Sequence, residues 1–245
     1  MGHEGSSEII HYAAKQITEI FPSLSADTFS GVTIHMQTMY TTWISMAIIF
    51  LLFWLAARKC ELIPKGIQNV MEFFIDFLNN LMEGQLGVKG TKFMAPFIIT
   101  LFMFIFISNE LGMLPQLLEP AHFEFTSPTN DINTCFALSL TVAIGVYIVG
   151  IIHHGLGHFK HFISPSPAFL PLHLLDEVTK PLTMALRLFG NILAGEILLI
   201  VLYKLTPWII PEFWVMFSLF IGFLQAFIFT MLTLTSYATV FAHHG

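Results

Sequence analysis

Charged residues are scarce in this chain: they make up 11% of its 245 residues, and only ten residues are basic. The basic residues form no cluster, so nothing indicates nucleic-acid binding. The first fifteen residues are acidic and lack an apolar core long enough for a signal peptide. We therefore expect the first membrane-spanning helix to serve as the insertion signal.

Apolar residues, in contrast, are abundant. They form 55% of the chain, which includes 26 phenylalanines, and they occur in long continuous runs. The strands of an outer-membrane barrel instead alternate apolar and polar residues over segments of roughly ten. Inside a bilayer a continuous apolar segment must satisfy its own backbone groups, which a helix does. The sequence therefore predicts an all-α integral membrane protein.

The apolar runs predict about five membrane-embedded helices and one amphipathic helix on the membrane surface. The embedded helices are expected over 38–57, 93–113, 132–152, 172–204 and 212–242. The surface helix is expected over 66–83, where Glu72 and Asp76 interrupt the apolar positions. Docking of that helix on its own chain is the alternative. Residues 1–37 are interpreted as an external segment, and 38–245 as a single membrane domain.

The distribution of basic residues predicts the orientation of the chain in the membrane. Arg58 and Lys59 directly follow the first span, and Lys160 follows the fourth apolar segment, whereas the loop over 114–131 carries only acidic charges. Basic residues beside a span mark the cytoplasmic side. We therefore expect an external amino terminus and a cytoplasmic carboxyl terminus. In this topology Cys60 and Cys135 lie at opposite membrane faces, which disfavours a disulfide.

The last two helices are each about thirty residues long, which exceeds the length needed for an upright crossing. A strong tilt is the usual response to such surplus length. Pro181 lies inside the first of the two and lacks the amide hydrogen that would bond to the carbonyl of Glu177. A kink there, or a helix start near Thr179, is expected.

Arg187 lies near the middle of the apolar stretch from 172 to 203. A charge at that depth costs roughly 2.5 to 3.5 kcal/mol on insertion scales. Because guanidinium stays protonated, its natural role is a fixed positive charge that faces a mobile carboxylate. At 100° per residue it shares a helix face with Asp176, Lys180, Thr183 and Asn191, whereas Glu196 lies about 180° away.

Four blocks of this sequence resemble subunit a of the membrane sector of bacterial F-type ATP synthases. They are LRLFGNILAGE, LQAFIF, PTNDIN and TKPL. The resemblance implies a non-catalytic subunit of the bacterial plasma membrane whose last two helices form a hairpin against a ring of c subunits. It also implies two offset half-channels for H⁺ or Na⁺, and peripheral-stalk b subunits and other ATP synthase subunits as partners beside the lipid bilayer.

The resemblance and the polar spacing together indicate the candidate residues. The ion-translocation set is Arg187, Glu196, Asn191, Gln225 and Ser218. Candidates for the outer half-channel are Asn109, Glu110 and Asp131, and those for the inner half-channel are His173, Asp176, Glu177 and Lys180.

Ordinary structural roles remain alternatives for several of these candidates. Asp131 suits the N-cap of the next helix equally well, and Glu110 suits a solvated interfacial position. Asn191 and Gln225 suit interhelical hydrogen bonds. The four inner candidates have the sequence pattern of ordinary charged residues at the start of a helix, which is the alternative role for them.

Ser218 occupies a position, seven residues before Gln225, where many members of the family carry histidine and some carry glutamate. Glu196 would then act with water and Ser218, or Glu110 would take the place of the second acidic group.

An ion-coupled secondary transporter with an anion-binding arginine is the alternative function, although the inverted repeats typical of such carriers are not recognisable. His154 and His158 have a spacing used by metal ligands, but Gly155 and Gly157 interrupt the helix that would hold them. We therefore predict no metal site and no cofactor.

Overall fold

The computed structural model of the protein describes residues 27–29, 32–34, 36–58, 65–118, 127–155, 170–205 and 210–241. Five long helices dominate this part of the chain and confirm the predicted all-α fold. They are α1 (Met36–Ala57), α2 (Ile67–Leu118), α3 (Ile132–His154), α4 (Leu170–Leu205) and α5 (Ile210–Phe241). All five are long and apolar enough to cross a membrane.

Two short elements accompany the helices. Strands β1 (Asp27–Phe29) and β2 (Val32–Ile34) pair antiparallel, with Asp27 opposite Ile34, in a hairpin that the sequence reading did not include. A 3₁₀ helix over Pro128–Asn130 directly precedes α3. Residues 1–26, which form most of the predicted external segment, lie outside the described residues, as do Cys60, His158 and Lys160.

Hydroxyl groups within α1 are satisfied by the helix itself. Thr42 donates to the carbonyl of Thr38 at 2.7 Å, and Ser45 donates to the carbonyl of Thr41 at 3.0 Å. Such bonds from a residue to the preceding turn allow hydroxyls to lie in hydrocarbon without leaving a donor unpaired. The helix ends before Arg58, whose guanidinium lies 5.1 Å from the ring centre of Trp54.

The long helix α2 folds back on itself at Gly87. This residue has φ 68° and ψ 173°, a backbone conformation that glycine adopts easily because it has no Cβ. Phe74 precedes Gly87 in the chain and Phe102 follows it, yet the centroids of their rings are only 6.0 Å apart. A straight helix would separate these residues by about 42 Å. The element therefore consists of two arms, 67–86 and 88–118, that pack against each other.

The first arm of α2 is docked on its own chain through one side. Met71, Leu78 and Met82 are buried, which matches the predicted helical spacing of apolar residues. The ring of Phe77 lies 5.9 Å from that of Phe227 in α5, so this arm contacts α5 as well as the second arm. Its location flat on the membrane surface stays a prediction.

Helices α4 and α5 run through nearly the predicted spans. The helix α4 begins at Leu170 and continues through Pro181, so it does not start near Thr179. Because Pro181 removes one backbone bond in a helix of 36 residues, the bonds on either side are sufficient to keep the element continuous. The indole of Trp214 in α5 donates to the carbonyl of Gly195 in α4 at 3.2 Å and joins the two helices.

Three chain segments meet at one end of the bundle. The imidazole of His153 at the end of α3 lies 5.1 Å from the ring of Phe241 at the end of α5, and 5.8 Å from the ring of Phe93. A Cβ at Gly90 would lie 3.3 Å from the ring of Phe241. Residues shortly after the Gly87 turn therefore lie beside the carboxyl ends of α3 and α5.

Candidate functional site

Arg187 lies on the outer face of α4. Its side chain is exposed, and no hydrogen bond or ion pair joins it to any other residue that the structure describes. Asp176, Lys180 and Thr183 are exposed as well, as their shared helix face predicts, and Asn191 on the same face is half-buried. A polar stripe that contains Arg187 therefore faces away from the other helices that the structure describes.

Glu196 lies on the opposite side of α4 and points into the protein. Only 7% of its surface is exposed, and its Oε2 accepts a hydrogen bond of 2.7 Å from the side-chain amide of Asn130. Nine residues at 100° each place it about 180° from Arg187. The predicted separation of the arginine and the acid is therefore present in the structure.

The segment 127–130 is buried although it connects two helices. Pro128 occupies the start of the 3₁₀ helix, where a missing amide hydrogen costs nothing, and the hydroxyl of Ser127 accepts from the amide of Thr129 at 3.3 Å. Asp131 then caps α3 by accepting from the amide of Asn133 at 2.8 Å. Asp131 thus forms the N-cap of α3, which was the alternative role expected for it from the sequence. Its role in the outer half-channel stays a prediction.

A chain of hydrogen bonds runs from α2 through this segment to α5. Ser127 donates to the carbonyl of Ser108 at 2.7 Å, and its hydroxyl lies 2.7 Å from that of Thr129. Thr129 donates to Oδ1 of Asn109 at 2.9 Å. Asn109 donates to the carbonyl of Gly222 at 3.2 Å. Three elements are therefore fixed to one another by buried polar groups, which are costly to leave unpaired.

Glu110 lies against the backbone of α5. A Cβ built on Gly222 would be 3.1 Å from Oε1 of Glu110 and 3.3 Å from Cβ of Asn109. The glycine therefore makes room for the carboxylate, which is half-buried. Ser218 lies one helical turn before Gly222, so the two candidates for a second polar group at this site approach the same part of α5.

A cavity of about 200 Å³ lies between α2, α4 and α5. Three predicted site residues line it, namely Asn109, Asn191 and Ser218, together with the backbone of Gly195 and Gly222. A water molecule occupies about 30 Å³ in the liquid, so several would fit. Most of the remaining lining is apolar, so Asn109, Asn191 and Ser218 are the side chains that could bind such water. The cavity brings these predicted residues together although they come from three different helices.

Gln225 is buried on α5, with 5% of its surface exposed. Its Nε2 donor has no hydrogen-bond partner among the described atoms. It shares the buried side of α5 with Ser218 and Gly222, as their spacing predicts. A buried donor without an acceptor is unusual, and it marks this position as one where water or a partner chain would complete the bonding.

The inner candidates form a separate group nearer the start of α4. Glu177 accepts hydrogen bonds from the hydroxyl of Tyr147 at 2.8 Å and from the ammonium of Lys180 at 2.9 Å. Asp176 is exposed, and the side chain of His173 lies outside the described part of the structure. Among the described side chains, no hydrogen bond or ion pair joins this group to Glu196, which lies about five helical turns further along α4.

Several residues at the site were not assigned by sequence reasoning. Asn130, Thr129 and Ser127 connect the outer candidates, and Tyr147 binds Glu177. A signal for two of them, Thr129 and Asn130, was present, because they lie in the block PTNDIN that carries part of the family resemblance. Their roles were not recognisable, since the sequence does not show that this connection enters the protein interior.

The helices and the buried polar groups between them define a multi-pass membrane protein with a cavity between three helices and an exposed arginine on the outer face of one of them. Comparison with known protein families gives the more specific assignment. Residues 39–238 match the family described as ATP synthase A chain, and the protein belongs to that family. Membership assigns it to the membrane sector of an ATP synthase, in the position of subunit a.

Proposed function

We propose that this chain is the stator ion channel of an F-type ATP synthase and couples the passage of H⁺ or Na⁺ to rotation of a ring of c subunits. The observation that carries this proposal is the position of Arg187. It lies in the interior of a helix long enough to span the membrane, it faces outward, and it has no partner among the described residues.

An arginine that faced lipid at this depth would cost several kcal/mol. A partner chain that presents a carboxylate removes that cost, because opposite charges attract strongly where water is excluded. Gly190, close to Arg187 on the helix, has open space where a Cβ would be, which allows another helix to approach α4 closely. The carboxylates of a rotating c-ring supply such a partner repeatedly.

The buried polar groups form the proposed outer half-channel. Ions from the external side would pass the cavity lined by Asn109, Asn191 and Ser218 and reach Glu196, which would transfer them to the rotor carboxylate. Gln225, on the neighbouring helix, would help to position Arg187 or the rotor carboxylate. The separate group around Glu177 and Lys180 would line the inner half-channel.

The offset between the two groups converts ion flow into rotation. An ion that enters through the outer path neutralises one rotor carboxylate, which travels through lipid before it releases the ion on the cytoplasmic side. The fixed charge of Arg187 excludes a cation that would otherwise cross directly. One charge that moves through 100 mV is worth about 2.3 kcal/mol, so several ions are needed for each ATP.

The proposed orientation places the amino terminus outside and the carboxyl terminus in the cytoplasm of a bacterial cell. Lys89 and Lys92 follow the turn at Gly87, beside the carboxyl end of α5. These basic residues favour one membrane side, which the positive-inside rule assigns to the cytoplasm. Peripheral-stalk b subunits would hold the chain still against the turning ring.

An ion-coupled carrier with an anion-binding arginine is not favoured. Such a carrier would bind its substrate in a cavity within its own chain. Arg187 does not line the cavity between α2, α4 and α5, and it faces the outside of the molecule instead.

The proposal is tested by Arg187→Ala in a complete ATP synthase reconstituted into liposomes. We expect ATP-driven ion pumping to be abolished, while ATP hydrolysis by the detached catalytic head persists. The matched control is Arg58→Ala, which removes an arginine at the end of α1 and should leave pumping unchanged. Pumping at the normal rate by assembled Arg187→Ala complexes would refute the assigned role.

A further inference from the structure

Asn130 and Glu196 form an isolated buried pair. Their exposed fractions are 4% and 7%, and the amide Nδ2 of Asn130 lies 2.7 Å from Oε2 of Glu196. Among the described residues, no other hydrogen bond and no ion pair reaches the Glu196 carboxylate. The acid that faces the protein interior is therefore held by a single side chain from a different element.

The second polar atom of Asn130 is also informative. Its Oδ1 is buried and has no donor among the described atoms. Leaving a buried acceptor unpaired is costly, and the few that occur in a native protein require an explanation. A protonated carboxyl group carries one O–H donor in addition to its acceptor oxygen. Protonation of Glu196 would therefore supply the donor that Oδ1 lacks.

Amide and acid groups are complementary in shape. Each presents two polar atoms from one planar carbon, so the amide can donate through Nδ2 to one carboxyl oxygen while Oδ1 accepts the proton of the other. In the charged state Asn130 makes one hydrogen bond that is strengthened by the negative charge. In the protonated state it makes two neutral bonds. One side chain thus holds the acid in either state.

We propose that Asn130 is the positioning residue of Glu196, and that it holds this acid in place in both of its protonation states during ion transfer. This inference rests on the proposed function. It assigns the group that holds this acid to the connection before α3. Ser218, which lies where many members carry histidine, lines the cavity and makes no hydrogen bond to Glu196 in the structure.

The nearest other titratable groups come from α2 and from the start of α3. They are Glu110 of α2, which lies against α5, Asp131 at the cap of α3, and Cys135 of α3, whose thiol donates to the carbonyl of Thr129 at 3.0 Å. None of them changes in the variants below. A change in the pH dependence of conduction is therefore assigned to the pair itself.

The test uses Asn130→Ala and Asn130→Asp in the complete complex, with passive proton conduction measured across pH after the catalytic head is removed. Alanine leaves Glu196 without its donor, and we expect conduction to fall about tenfold, the size expected for loss of one charge-assisted hydrogen bond. Aspartate keeps the shape but puts two acids in contact. Because such a pair keeps one proton to higher pH, half-maximal conduction should move upward by about one pH unit.

The matched controls are Asn80→Ala and Asn80→Asp, because Asn80 is an exposed asparagine on α2. We expect both to conduct like the original complex. If Asn130→Ala fails to assemble, the isosteric Asn130→Asp still provides the pH profile, which a purely structural role would not move. Unchanged rate and pH profile in assembled Asn130 variants would overturn the inference.

A second measurement, ATP-driven pumping by the complete complex, separates this inference from the proposed function. Arg187→Ala, assayed alongside, should abolish coupled pumping whatever Asn130 does. If Arg187→Ala abolishes pumping while the Asn130 variants conduct like the original complex, only the role proposed for Asn130 is refuted. If Arg187→Ala complexes pump at the normal rate, both the proposed function and the inference that rests on it are refuted.

Discussion

Arg187 and Glu196 lie nine residues apart on α4 and point in opposite directions. The arginine is exposed on the outer face, and the acid is 7% exposed and bonded to Asn130 in the interior. One helix thus separates the fixed charge that a partner would contact from the acid that water within the chain would reach. This arrangement gives each group its own environment and its own test.

Replacement of Glu196 by glutamine should slow ion conduction more than it disturbs assembly. Glutamine has nearly the same shape, but it cannot bind and release a proton. Passive flux through the membrane sector and recovery of the intact complex measure the two effects. Glu83→Gln, which changes an exposed acid on α2, is the control. Unaltered flux in intact complexes would shift the role to Glu110 or Asp131.

Replacement of Thr129 by valine should destabilise the protein by about 1 to 3 kcal/mol, since Asn109 Oδ1 loses its buried donor. A lower melting temperature of the purified complex in detergent would show this. Thr141→Val is the matched control, because that exposed hydroxyl donates only to the carbonyl of Ala137 in its own helix at 2.7 Å. Equal melting temperatures for the two variants would contradict the buried network.

Replacement of Gly87 by alanine should also destabilise the protein, by roughly 1 to 3 kcal/mol, because a residue with a Cβ is strained at φ 68° and ψ 173°. Gly84→Ala is the control, since that helical position has open space around it, and alanine should be neutral or slightly stabilising there. A melting temperature unaffected by Gly87→Ala would argue against the fold-back.

Replacement of Gly222 by alanine should reduce conduction. The new Cβ would lie 3.1 Å from Oε1 of Glu110 and 3.3 Å from Cβ of Asn109, so the cavity lining must shift. Overpacking of this kind typically costs 1 to 3 kcal/mol. The measurement is passive ion flux through Gly222→Ala complexes, compared with flux through Gly84→Ala complexes as the control. Equal flux in the two variants would show that the wall at Gly222 does not shape the ion path.

The helices could be predicted from the sequence because continuous apolar runs leave the backbone no other way to satisfy its hydrogen bonds in a bilayer. The opposite directions of Arg187 and Glu196 could be predicted for a related reason: helical period fixes the angle between residues of one element. The fold-back at Gly87 could not be predicted, since several glycines occur nearby and local sequence does not show which of them adopts a positive φ.

The contacts of the candidate site depend on tertiary structure. Asn130 reaches Glu196 only because the connection 127–130 is buried among the helices, and nothing in its composition shows that it lies inside. Likewise, Glu110 approaches α5 only where Gly222 leaves room for it. Sequence therefore indicated several polar side chains of the site, while the structure was needed to show which of them meet.

The most direct measurement of the central claim is disulfide cross-linking between α4 and the ring, after Cys60 and Cys135 are replaced by serine. Thr183→Cys lies on the face of Arg187, and Val178→Cys is exposed on the opposite face. With a cysteine beside the rotor carboxylate, the account predicts efficient cross-linking of the first variant and little of the second. Cross-linking of Val178→Cys without Thr183→Cys would contradict it.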